Sequence, residues 1–174
     1  MAVTSTQSIP AFEAKICAPH ELAARLESLK RPLVFTNGVF DILHRGHVTY
    51  LAQARAMGAS LLVALNSDAS ARKLDKGKDR PVNTLEDRLA LIAALEAVTL
   101  VTWFEDETPL KLILAVKPDV LVKGGDWKPE TIVGAKEVKS WGGAVRSIPF
   151  AHGRSTTSLI ERIRSSKKGV NRDS

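Results

Sequence analysis

The feature that most constrains this chain is a set of five short apolar runs, each continuous rather than alternating. They are residues 33–36 (LVFT), 60–66 (SLLVALN), 98–104 (VTLVTWF), 119–123 (DVLVK) and 144–148 (AVRSI). A strand with one face in water alternates apolar and polar residues, whereas a strand covered on both faces has no need to. Helical patterns separate the runs, over residues 20–30, 47–57, 84–97, 108–116, 130–141 and 155–165. In the second of these, Val48, Leu51, Ala52 and Arg55 fall at helical spacing, with Gly58 expected as the C-cap. Thr84 followed by Asp87 has the form of a capping box, and Pro118 ends the fourth helix. Strand and helix in alternation require right-handed crossovers and a parallel sheet. The expected fold is α/β: a Rossmann-like, doubly wound parallel sheet of about five strands with helices on both faces. Residues 15–165 are expected to form this single domain, after a loosely ordered stretch over 1–14 and before a basic tail over 166–174.

Composition removes several alternatives. With 44% hydrophobic and 25% charged residues in 174, the chain has the make-up of a folded globular domain. No apolar run approaches the roughly 18–20 residues of a membrane-spanning helix, and the N-terminus lacks the basic-then-apolar pattern of a secretory signal. The single cysteine, Cys17, excludes an internal disulfide framework, and a cytoplasmic location is expected. The net charge of +6 raises the question of nucleic acid. Five basic residues and one acid lie within 162–174, however, so most of the excess sits at the C-terminal end. Aromatic residues are only 5% and are not interleaved with the basic ones, as stacking platforms for bases require. No nucleic-acid or membrane partner is expected.

Ligands of such sheets bind beyond the carboxyl ends of the strands, which points to the loops after Thr36, Asn66, Phe104 and Lys123. The first of them carries His44 and His47, three apart around Gly46 at the start of a helix. A helix N-terminus offers unpaired N–H groups and partial positive charge, so two imidazoles there suit a phosphate. The residues alone also allow two other readings: a surface pair capping the helix, or a metal site, although no carboxylate or cysteine cluster completes one. Asn66-Ser67-Asp68 is a site by position and an ordinary helix cap by composition. The basic run Arg72, Lys73, Lys76, Lys78 and Arg80, with Gly77 inside it, is either a solvated loop or a flap that brings cations onto phosphates. Ser155, Thr156 and Thr157 open the last helix as an anion site or a plain cap.

The segment FTNGVFDILHRGH resembles the signature of the HxGH nucleotidylyltransferase superfamily. ALNSDAS, RPVNTLEDR, DVLVKGGDW and GRSTTSLIERI follow in order, and together these motifs are similar to those of heptose 1-phosphate adenylyltransferases over residues 33–165. In many such enzymes a sugar kinase is fused ahead; this sequence resembles the stand-alone form, which implies a separate heptose-phosphate kinase. The resemblance implies transfer of AMP from ATP to a sugar 1-phosphate with release of pyrophosphate, in the service of lipopolysaccharide inner-core synthesis. It implies Mg²⁺ carried with ATP, with no metal ligands named on the chain, and a homo-oligomer. It assigns His44, His47 and Lys76 to catalysis. It assigns Asn37, Gly38, Phe40, Gly46, Arg80, Lys123, Gly124, Asp126, Ser155, Thr156 and Thr157 to the nucleotide, and Asp41, Asn66 and Asp68 to the acceptor. Trp127 stands where relatives carry tyrosine, and Arg154 where many carry a small residue. The alternatives are a cytidylyltransferase acting on glycerol or another alcohol phosphate and, more remotely, a non-catalytic nucleotide-binding module.

Overall fold

A computed structural model describes residues 9–74, 80–151 and 156–168. Five strands form one sheet: β1 (Leu33–Gly38), β2 (Ser60–Asn66), β3 (Leu100–Phe104), β4 (Val120–Gly124) and β5 (Ala144–Ile148). Their order is β3-β2-β1-β4-β5, and every neighbouring pair is parallel. β2 and β5 match the apolar runs of the sequence end to end. β4 starts one residue late because Asp119 is used otherwise: its carboxylate accepts from the Leu33 N–H at 2.6 Å and from Arg31 at 2.8 Å.

Seven helices surround the sheet among the described residues: α1 (Leu22–Glu27), α2 (Arg45–Arg55), α3 (Asp68–Arg72), α4 (Leu85–Ala93), α5 (Leu110–Val116), α6 (Ala135–Ser140) and α7 (Thr156–Lys168). Side chains alternate across each strand, so a continuous apolar run feeds two cores at once. Leu33, Phe35, Leu62 and Ala64 pack with Leu22 of α1, Ile113 and Val116 of α5, and Val138 of α6. Val34, Leu61, Val63 and Leu65 pack on the opposite face with Tyr50, Leu51 and Ala54 of α2 and Leu89, Ile92 and Ala93 of α4. The sheet is therefore covered on both faces, as its strands require. None of the described helices is long and apolar enough to cross a membrane.

Several boundaries differ from the sequence expectation. α2 begins two residues early, at Arg45, and makes His44 its N-cap. The predicted helix 130–141 is broken into a 3-10 turn, Pro129–Thr131, and α6, with Gly134 left-handed between them (φ +86°); a Cβ there would meet Ile113 at 2.8 Å. α7 runs on to Lys168, so Lys167 and Lys168 are helical rather than part of a tail. Residues 1–8 and 169–174 lie outside the described set. Within the stretch expected to be loose, Ala11–Lys15 forms a 3-10 turn. Phe12 and Ile16 pack on the core, and Cys17 donates its N–H to the Val101 carbonyl at 2.8 Å.

Gly58 is not a left-handed cap; Ala56 closes α2 in right-handed geometry. Glycine stands at 58 because a Cβ there would lie 2.4 Å from the Pro32 carbonyl oxygen and 2.7 Å from Val34. Gly58→Ala is expected to lower stability by roughly 2 kcal/mol in urea unfolding. Gly58→Asn, which a left-handed cap would tolerate, should fare no better.

Candidate active site

The chain leaves β1 toward β2 and β3, then returns to place β4 on the other side of β1. This is the topological switch point at which such sheets bind ligands. A cavity of about 540 Å³ opens there. It gathers Asn37, Gly38, Phe40 and Asp41 from the end of β1, His47 from α2, Arg80 from the loop before α4, Lys123 and Gly124 from β4, and Thr156 from α7. A smaller lobe of about 260 Å³ shares Asn37, Gly38 and Lys123 with it and reaches Asn66, Glu107 and Thr108. At the shared wall the Lys123 ammonium donates to the Asn37 side-chain oxygen at 3.3 Å and to its carbonyl at 3.4 Å.

His44 and His47 lie stacked, with ring centroids 3.8 Å apart and planes 22° apart. His44 is the N-cap of α2 in extended geometry, and its side chain makes no cap hydrogen bond. The turn is closed by backbone instead: the His47 N–H donates to the His44 carbonyl at 2.9 Å. Phe40 meets His47 edge-on at 5.3 Å and holds the ring in place. Phe40 itself sits at φ +49°, in the left-handed region that a bulky residue seldom enters. Its ring lies against Gly38, where a Cβ would meet it at 3.0 Å.

Under the cavity, the Tyr50 hydroxyl and the Thr36 hydroxyl share a hydrogen bond of 2.5 Å. Burial pushes the Tyr50 phenol well above its ordinary range, and the Thr36 bond offsets only part of that. Gly124 is flat against this floor: a Cβ would lie 2.7 Å from Phe150 and 3.3 Å from Tyr50. Its missing side chain therefore admits the protein's own aromatic rings.

The Asp41 carboxylate is buried and accepts from Arg80 Nε at 2.5 Å, from the Val82 N–H at 2.8 Å and from the Asn83 N–H at 2.9 Å. It fastens the basic loop to the β1 loop. Arg88, fully buried on α4, completes the frame. Its guanidinium donates to the carbonyls of Val39 (2.8 Å), Asn66 (2.9 Å) and Asn83 (3.2 Å) and to the Asp68 carboxylate (2.6 Å).

A family model described as cytidylyltransferase-like matches residues 35–167, which include the whole sheet except the first two residues of β1. The chain belongs to the cytidylyltransferase-like family. It is 56% identical over 155 residues to "D-beta-D-heptose 1-phosphate adenylyltransferase" of Bordetella bronchiseptica, covering 88% of this chain and 96% of that protein. It is 55% identical over 148 residues to "Bifunctional protein HldE" of Escherichia coli O157:H7, covering 85% of this chain but only 30% of that longer protein. The crystal structure of a lipopolysaccharide core biosynthesis protein from Thermoplasma volcanium superposes with a TM-score of 0.56 at 30% identity, over 70% of this chain and 98% of that one. A pantoate-beta-alanine ligase from Francisella tularensis, 16% identical with a TM-score of 0.54, shares the fold over 82% of this chain and 68% of its own.

This cytidylyltransferase-like chain is thus a nucleotidyltransferase enzyme, and its sequence-predicted residues fall into three groups. Those lining the cavity are named above; His44 joins them by stacking on His47, and Gly46 is buried in the first turn of α2. Others do not reach it. Asp68, expected to face the acceptor, is instead the ion-pair partner of buried Arg88. Asp126 and Thr157 are exposed and off the cavity wall. Asn66 lines the smaller lobe, with its amide Nδ2 held by Ser70 at 2.9 Å. Lys76 and Ser155, with the rest of 75–79 and 152–155, lie outside the described residues. Arg88 itself was invisible as a site residue, although it closes the RPVNTLEDR motif, because an arginine on an amphipathic helix reads as solvated. Tyr50 and Phe150 also line the cavity, and no motif of the sequence marked either.

Arg88→Met should destabilise the fold by roughly 3–5 kcal/mol, since it leaves a carboxylate and three carbonyls unpaired. Arg88→Lys should rescue little of this, because an ammonium cannot span the fork; urea unfolding measures both. Tyr50 is the chain's only tyrosine, so its ionisation can be followed directly by absorbance. The native protein should show no tyrosinate near pH 10, the ordinary tyrosine value, whereas denaturant should restore normal titration. Because the folded phenol keeps its proton above the unfolded value, stability should fall as pH rises past about 10. Tyr50→Phe should remove that slope.

Proposed function

We propose that this enzyme transfers AMP from ATP to D-glycero-β-D-manno-heptose 1-phosphate, giving ADP-heptose and pyrophosphate for lipopolysaccharide inner-core synthesis. The observation that carries the reading is the stacked His44–His47 pair at the N-terminus of α2, set against a cavity that also holds Lys123 and Arg80. The choice of sugar follows the name of the Bordetella relative, whose length the chain almost entirely spans.

In this reading an oxygen of the sugar phosphate attacks the α-phosphorus of ATP, and the bond to the pyrophosphate oxygen breaks. The attacking oxygen is already ionised, so the protein supplies position and charge rather than a strong base. His44, His47 and the first-turn N–H groups of α2 donate to the phosphate oxygens as negative charge moves toward pyrophosphate. Arg80 lines the cavity, locked by Asp41, and a catalytic role for Lys76 belongs to the same proposal. Lys123 bridges the two lobes where both phosphates must meet. Ser155, Thr156 and Thr157 are assigned to the far end of the triphosphate, and of these Thr156 lines the cavity. Asn37, Gly38, Phe40 and Gly124 line the nucleotide side, and the exposed Asp126 is assigned to the ribose.

Among the described residues no three His, Cys, Asp or Glu side chains come together as a metal cage. A magnesium ion that arrives on ATP and keeps its waters would supply charge neutralisation when bound. We place the enzyme in the cytoplasm, as a homo-oligomer, coupled to a kinase that makes its sugar phosphate.

The test is pyrophosphate release with Mg²⁺ across four nucleoside triphosphates, using β- and α-heptose 1-phosphate and glycerol 3-phosphate as acceptors. Turnover with ATP and the β-heptose phosphate alone is the expected result. His44→Ala and His47→Ala should each lower kcat about 100-fold while unfolding stays cooperative. Preference for CTP or glycerol phosphate would keep the transferase chemistry and sink the sugar assignment.

A further inference from the structure

Nucleotidyl transfer brings acceptor and leaving group roughly in line across one phosphorus. The two lobes of the site suit that demand, because they share the wall of Asn37, Gly38 and Lys123 and diverge from it. Their linings differ in kind. Phe40, Tyr50, Trp127 and Phe150 all face the larger lobe, and the smaller one has no aromatic lining residue. A base finds its stacking partners in the first; a non-aromatic acceptor is left the second.

The smaller lobe reaches over the ends of β2 and β3, where Glu107 is the sole carboxylate among its lining residues. Neighbouring acids are committed elsewhere. Asp41 is filled by Arg80, Val82 and Asn83, and Asp106 is paired with Lys111 at 2.6 Å. Glu107 stands outside the ion pairs formed among the described residues. Its backbone is nonetheless anchored on both sides. The Ser70 hydroxyl donates to the Asp106 carbonyl at 2.8 Å, and the Ile113 N–H donates to the Pro109 carbonyl at 2.9 Å. Glu107 and Thr108 are thus two exposed polar side chains on a fixed loop at the mouth of an otherwise uncommitted lobe.

We propose that Glu107, seconded by Thr108, is the specificity-determining residue that reads the hydroxyls of the acceptor sugar. The inference rests on the transfer reading above and deepens it. A carboxylate accepts hydrogen bonds from two vicinal hydroxyls with charge assistance. A site built around such bonds rejects an analogue that lacks the hydroxyls.

The test is steady-state kinetics of Glu107→Ala and Glu107→Asp, with acceptor and ATP varied separately. Glu107→Ala should raise the KM for heptose 1-phosphate about tenfold or more and leave the KM for ATP within about twofold. Glu107→Asp should fall between it and the wild type. The preference for heptose 1-phosphate over glycerol 3-phosphate, which has no ring hydroxyls, should shrink in Glu107→Ala. An unchanged KM for the sugar phosphate overturns the proposal. So does a matching rise for ATP, which marks a general fault of the loop. If the wild type uses only glycerol phosphate, the sugar reading falls, and an effect of Glu107→Ala confined to that acceptor counts against Glu107 as a sugar reader. A wild type silent with every acceptor overturns both.

Discussion

The structure depends on one buried cation. The Arg88 guanidinium lies out of water on α4 and meets the β1 loop at Val39, the end of β2 at Asn66, the α3 start at Asp68 and the loop before α4 at Asn83. A buried charge is tolerable only when its donors are matched, and here the matching partners are the loops that frame the catalytic cavity. The same contacts that satisfy the arginine therefore set the spacing of those loops. Asp41 repeats the device with the sign reversed, a buried carboxylate that collects Arg80 and two backbone N–H groups.

Around this frame the sheet divides the labour. β1 runs through its centre and feeds both cores, Leu33 and Phe35 on one side and Val34 on the other. A strand so placed is rigid at its middle, and chemistry gathers where it ends. The loop after it supplies Asn37, Gly38, Phe40 and Asp41 to the cavity, then turns at once into the histidine-bearing helix.

Much of this was legible in the sequence because it is local. Continuous apolar runs marked the strands, and Thr84 caps α4 as its spacing implied, its hydroxyl accepting from the Asp87 N–H at 3.3 Å. The HxGH segment had to open a helix at a strand end, and it does. What was not legible depends on contacts between residues far apart in the chain. Gly58 is explained by Pro32, the break at Gly134 by Ile113, and Arg88 and Asp68 by each other. In each case the residue type suggested the commoner local role, a cap, a helix interior or a solvated charge, and a distant partner overrode it. Glu107 belongs here too, since only the fold brings the β3 loop alongside Asn37.

The position of His44 has a wider consequence. Helices usually begin at a residue whose side chain ties down the first N–H groups, a tie worth about 1 kcal/mol. α2 begins at an imidazole that does not supply it. The first turn forms without it: the His47 N–H donates to the His44 carbonyl at 2.9 Å, and Gly46 is buried beneath. The helix thus forgoes about that much stability at its start, and gains there a ring stacked on His47 beside the cavity rather than one turned back onto its own backbone.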